Sequence, residues 1–169
     1  MAIARKKVVI RSFEGEITWG YLPQSGFASA GLVEVIDTAG RVISLRLKEI
    51  KTIAYVRDFN LDDRDEPERI GRRSFLGRPR GDGLWLKLEF QDGELLEGLA
   101  HFDLGFVEQL IEDRGFSVSL PDARSNTQRI FMPRSALASL QVLGYIGPPA
   151  KRKAMERAAE AAQQDLFGE

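Results

Sequence analysis

Residues 86–100 read Leu-Lys-Leu-Glu-Phe-Gln-Asp-Gly-Glu-Leu-Leu-Glu-Gly-Leu-Ala, and residues 8–22 read Val-Val-Ile-Arg-Ser-Phe-Glu-Gly-Glu-Ile-Thr-Trp-Gly-Tyr-Leu. Set 78 residues apart, Gly15, Glu16 and Gly20 fall on Gly93, Glu94 and Gly98. Glu14 falls on Asp92, and the apolar Val8, Ile10 and Ile17 fall on Leu86, Leu88 and Leu95. Alternating residues on both sides of an acid–glycine step are the pattern of a β-hairpin, because glycine supplies the positive φ of the turn. The second glycine, five residues on, lies inside a strand. Glycine there marks a bulge or the sharp bend of a small barrel.

The repeat extends outward from these hairpins. Residues 32–36 and 41–47 alternate around the turn Asp37-Thr38-Ala39-Gly40, and residues 48–56 close the first copy. In the second copy, residues 116–120, 129–132 and 137–143 are the corresponding strands, now 87 residues on. The excess over 78 predicts an insertion, part of it a helix. Asp103 is placed to cap it, Leu104, Val107, Leu110 and Ile111 share one face, and Gly115 is expected to end it. Trp19 and Trp85 are expected to pack in or near the two β units.

Between the copies, six acids from Asp58 to Glu68 precede five arginines from Arg69 to Arg80. The stretch has no periodicity and reads as an irregular connector. A loop that long is uncommon inside one compact domain, which favours two units. Gly144, Gly147, Pro148 and Pro149 stop the second copy. Residues 150–164 are alanine-rich with no broad apolar face, which predicts an exposed helix.

Composition narrows the function classes. The 169 residues include no cysteine and one histidine. Disulfide scaffolds, thiolate metal sites and cysteine nucleophiles are excluded. Lys plus Arg is 24 and Asp plus Glu is 25, a formal net charge of −1. Nucleic-acid binding would therefore need a local basic patch. The apolar run Val8-Val9-Ile10 is too short for a signal-peptide core, and no stretch approaches a membrane span. The expectation is a cytoplasmic protein with no membrane partner.

Phe90-Gln91-Asp92-Gly93-Glu94-Leu95-Leu96-Glu97-Gly98 is similar to the first Sm motif. Residues 129–140, Arg-Ile-Phe-Met-Pro-Arg-Ser-Ala-Leu-Ala-Ser-Leu, resemble the second motif of the bacterial Sm-like RNA chaperone family. A similar layout occurs in an uncharacterised bacterial domain family. The resemblance implies a mainly β chain: two small five-stranded Sm/SH3-like barrels in tandem, a short helix inserted in the second, and a helical tail. The expected divisions are 1–57 (first barrel), 58–83 (connector), 84–147 (second barrel) and 148–169 (tail).

The chemistry-bearing residues point to binding. His101 with Asp103 has the residue types of a general base and its orienting carboxylate, but no nucleophile or second ligand is near in sequence. The run from Asp58 lacks the glycine and glutamate of a calcium loop, with Asp63 and Arg69 in their places. Glu14, Glu16, Asp92 and Glu94 recur at equivalent turns and read as turn chemistry. No catalytic, metal or cofactor residue is assigned. Arg69, Arg72, Arg73, Arg78 and Arg80, with Phe75 among them, could hold RNA or single-stranded DNA, or could pair with the acids before them. Gln163-Gln164-Asp165-Leu166-Phe167 resembles the pentapeptide that docks bacterial proteins on the sliding clamp. The resemblance assigns contacts to Gln163, Asp165, Leu166 and Phe167. The expectation is a non-enzymatic binding or regulatory module with a protein partner, the clamp being one candidate. Nucleic-acid binding is the alternative.

Overall fold

The computed structural model describes residues 5–23, 28–29, 31–60, 62–111, 115–122, 125–147 and 157–164. Both acid–glycine turns form. In the first, Ser12 N donates to Glu16 O at 2.9 Å and Gly15 sits at φ 90°. In the second, Phe90 N donates to Glu94 O at 2.9 Å and Gly93 sits at φ 86°. They join β1 (Lys6–Ser12) to β2 (Ile17–Leu22), and β7 (Gly83–Phe90) to β8 (Leu95–Ala100).

The repeated inner glycines occupy matching places. Gly20 lies opposite Val8 on β1, and Gly98 lies opposite Leu86 on β7. A Cβ on Gly20 would come 2.5 Å from Val35 Cγ1, and one on Gly98 would come 2.5 Å from Val118 Cγ2. Each marks the point where the hairpin turns onto its third strand. There the pairing shrinks to one residue pair, Tyr21↔Ile36 in the first copy and Leu99↔Ser119 in the second.

The first copy continues through β3 (Ala28–Ser29), β4 (Leu32–Ile36) and β5 (Val42–Arg46). A single 3-10 turn, Leu47–Glu49, then leads into β6 (Ile50–Val56), which returns to pair with β1. The second copy runs through helix α1 (Leu104–Ile111), β9 (Gly115–Ser119) and β10 (Thr127–Pro133). Its own 3-10 turn, Arg134–Ala136, leads into β11 (Leu137–Ile146), which returns to β7. The two 3-10 turns lie 87 residues apart, the offset read in the sequence.

The described residues are mainly β, and their eleven strands belong to one antiparallel sheet. The order is β11-β7-β8-β9-β10-β6-β1-β2-β4-β3, with β5 on β4. The copies are therefore fused along a strand seam, where β6 pairs with β10 from Thr127↔Val56 to Phe131↔Ile53. All seven β6 residues are buried. Phe131 of the second copy packs in the core of the first, with Val8, Ile10, Val33 and Ile53. Val9, Ala54 and Val56 of the first pack in the core of the second, with Leu86, Leu88, Phe90 and Val118. Separate units strung on a connector would not share cores this way.

Two local expectations are corrected. Asp103 caps α1 as expected, accepting from Phe106 N at 2.9 Å. The helix packs through Phe106, whose ring meets Phe116 edge-on at 5.3 Å, while Leu104 is 81% exposed. Gly115 opens β9, at φ 131° with its α-carbon packed against the Met132–Pro133 backbone, where a side chain has no room. Trp19 is on the exposed face of β2, and Trp85 is half-buried with its indole N–H on Glu97.

Candidate interaction edge

β11 has a sequence unlike an ordinary outer strand. Its ten residues, Leu-Ala-Ser-Leu-Gln-Val-Leu-Gly-Tyr-Ile, carry no charge and no proline. Among the described residues β7 is its only paired strand, which leaves the other side of its backbone as an open ladder there. Protein edges are normally guarded by lysine, proline, bulges or short length, because unpaired N–H and C=O groups template another strand. Here bulges interrupt the register between Leu137 and Ser139 and between Val142 and Gly144, and the strand itself carries no lysine or proline.

The side chains follow from the register. Leu140 lies opposite Leu88 and Val142 opposite Leu86, and both partners are fully buried. Directly opposed residues share a face. Leu140 and Val142 thus carry the core face outward to the edge, where they are 37% and 54% exposed. Farther along, Tyr145 is exposed and its ring lies 6.2 Å from that of Phe102, also exposed. At its beginning, Leu137 and Leu140 line a cleft of about 970 Å3 with Leu32 and Leu47 of the first copy.

At the other end of the sheet, β5 is the matching open strand. Among the described residues it pairs with β4 alone, and Val42 is 64% exposed. Ile43 and Leu45 lie opposite the buried Val35 and Val33.

The structure distributes the sequence-predicted residues differently. Arg73 pairs with Glu94, and Arg69 lies 3.8 Å from Asp63. Arg72, Arg78 and Arg80 are exposed. Phe75, the aromatic among them, packs edge-on against Trp85 at 6.2 Å. The acids before them also reach the sheet: Glu68 binds Arg11 at 2.7 Å and Asp58 lies 3.6 Å from Lys7. Gln163 is exposed in the helix 157–164, and Asp165, Leu166 and Phe167 lie outside the described residues. His101 is exposed, 3.5 Å from Asp103. Among the described residues no group of three or more His, Asp or Glu side chains could hold a metal ion. No described helix is long and apolar enough to cross a membrane.

The pattern of the family DUF6982, a family of unknown function, matches residues 4–144. The chain belongs to this family. The matched span begins ahead of β1 and ends within β11. No curated protein and no solved structure matches the chain.

Sequence reasoning had located β11 as a strand but not as an edge. The signal was present: seven of its ten residues are apolar and none is charged, which suits burial better than solvent.

Proposed function

We propose that the protein is a non-enzymatic interaction module that works by strand addition at β11, and that the strand it accepts is β5 of a second copy. The observation that carries this reading is the ten-residue uncharged open edge, with core-type side chains at Leu140 and Val142. Each copy is read here as a five-stranded barrel of the Sm-like or SH3-like kind. Support comes from the common path of the two copies, in which the strand after the 3-10 turn returns to the first strand.

The choice of occupant rests on the internal seam. There the last strand of one copy, β6, pairs with the penultimate strand of the other, β10. The repeat equates β11 with β6 and β5 with β10. Each chain thus contains one formed junction and leaves the two halves of another open. Moving the seam register by 87 residues sets Val142 against Val42, where the seam sets Tyr55 against Arg129. These are the two most exposed valines among the described residues. A junction between unlike edges is heterologous, so it closes a ring or extends a filament.

Light scattering after size exclusion tests the reading. The wild type should run as a multiple of 18.9 kDa. Val142→Lys should shift it to the monomer with an unchanged melting temperature. A wild type that stays monomeric at high micromolar concentration would overturn the proposal.

A further inference from the structure

The two 3-10 turns, one from each copy, both line the cleft of about 970 Å3 at the start of β11. The first turn is pinned by Leu47 N, which donates to Gly31 O at 2.9 Å, and Gly31 lines the cleft as well. The second is held where it runs into β11: Gln91 N donates to Ala136 O at 2.9 Å, and Gln91 Nε2 donates to Leu137 O at 3.0 Å. Both turns are thus tied down by hydrogen bonds before any ligand arrives, and the volume lies within the range of small-molecule sites.

The lining divides into two chemical kinds. Leu32 and Leu47 of the first copy and Leu137 and Leu140 of the second supply aliphatic surface, with Leu32 40% exposed. Arg46 and Lys48, on either side of Leu47, supply charge, and both are exposed. Arg134 lines the cleft too, but it already makes an interaction within the protein, so the charge is counted from Arg46 and Lys48 alone. Among the described residues no acidic side chain lines the cleft; Glu49, next in the same turn, is not part of the lining. Aliphatic surface left in water favours an apolar occupant. A carboxylate takes charge-assisted hydrogen bonds from arginine and lysine, which are stronger than neutral ones. Phe116, the one aromatic residue of the described lining, is 1% exposed and packs edge-on against Phe106, so its ring offers no open face to a nucleobase.

We infer that this cleft is a binding site for a small amphipathic anion, a single aliphatic chain ending in a carboxylate. The leucines of the two copies take the chain, and Arg46 and Lys48 take the carboxylate. The site goes beyond strand addition, because it needs no hydrogen bond from the open ladder of β5 or β11. It was not legible in the sequence, where the largest basic cluster is the connector at residues 69–80 and the leucines of the two copies meet only through the fused sheet.

Calorimetric titration of the full chain with sodium decanoate, below its micelle concentration, tests the inference. Saturable binding at one site per chain is expected. Sodium acetate, which lacks the chain, and decyltrimethylammonium, which reverses the charge, should each bind at least tenfold more weakly. Arg46→Gln combined with Lys48→Gln should weaken decanoate at least tenfold with the melting temperature unchanged, as both side chains are exposed. Arg72→Gln combined with Arg78→Gln, which removes the same charge from the connector, should leave binding unchanged. Absence of saturable binding, or binding that survives the first pair, would overturn the site. Equal binding of decyltrimethylammonium would overturn anion recognition, and equal binding of acetate would overturn the role of the leucines. A single-stranded oligonucleotide bound tenfold tighter than decanoate, and lost in the first pair, would overturn the small-ligand assignment. A wild type that stays monomeric yet binds decanoate would uphold this site while overturning strand addition.

Discussion

Lys51 allows a stability prediction in which two ways of breaking one ion cluster give different costs. Its side chain is 9% exposed on β6, and its ammonium reaches Asp92 at 2.6 Å and also binds Glu94, both in the β7–β8 turn. It lies 5.1 Å from the Phe90 ring. The acids are more open, with side chains 42% and 33% exposed. Lys51→Met keeps most of the stem packing and removes the buried charge. Water then solvates the carboxylates, so the cost should be about 0.5–2 kcal/mol, close to that of a surface pair. Asp92→Asn with Glu94→Gln instead leaves a buried ammonium without a counter-charge, which costs about 3–5 kcal/mol. With ~2–4 °C per kcal/mol for a chain of this size, the acid double variant should melt on the order of ten degrees lower. The pH dependence gives a second readout. The Lys51 hydrogen bond, aided by the Glu94 backbone N–H, holds the Asp92 carboxyl below its ordinary value. A lowered folded-state pKa means stability that is present above the unfolded value, about 3.9, and is lost as pH falls through the folded one. Urea midpoints should therefore fall between pH 5 and pH 3 in the wild type and change less in Lys51→Met. A lysine variant less stable than the acid double variant, or an identical acid slope in both, would refute the reasoning.

Further outcomes follow from the same structure. Gly98→Ala and Gly20→Ala should each destabilise by about 1–3 kcal/mol, because the new Cβ meets Val118 or Val35 at 2.5 Å, whereas no atom lies within 4 Å of the Cβ position at Gly77, so Gly77→Ala should be near neutral in the same thermal melts. We retain as a proposal that the tail docks on the sliding clamp. Deleting residues 163–169 should leave the melting temperature nearly unchanged and abolish retention on immobilised clamp, and a drop of many degrees would make the tail part of the core.

The hairpins, their turns and the helix cap were legible because each is set by local chemistry: an acid–glycine step, a strand-bend glycine, an aspartate ahead of a helix. The seam was not read, although β6 carried its mark. Ile50-Lys51-Thr52-Ile53-Ala54-Tyr55-Val56 does not alternate, as expected of a strand covered on both faces. Lys51 and Thr52 obscured that pattern, and Lys51 is buried against the turn acids that follow β7. Repetition also misled. Asp92 and Glu94 looked equivalent to Glu14 and Glu16, and Asp92 does serve its turn by accepting from Glu94 N at 3.1 Å. Only the second pair also faces a buried lysine, a difference made by tertiary pairing.

The most direct test of strand addition is the solution mass of two double variants that differ in one charge sign. Each keeps the internal seam and places charges at the proposed contact of Val142 with Val42. Val42→Lys with Val142→Lys sets like charges together at every junction between chains, while Val42→Lys with Val142→Glu sets opposite charges there. The account predicts an 18.9 kDa monomer for the first and a restored multiple of that mass for the second, with restoration weakened by salt. Equal masses for the two variants would contradict it.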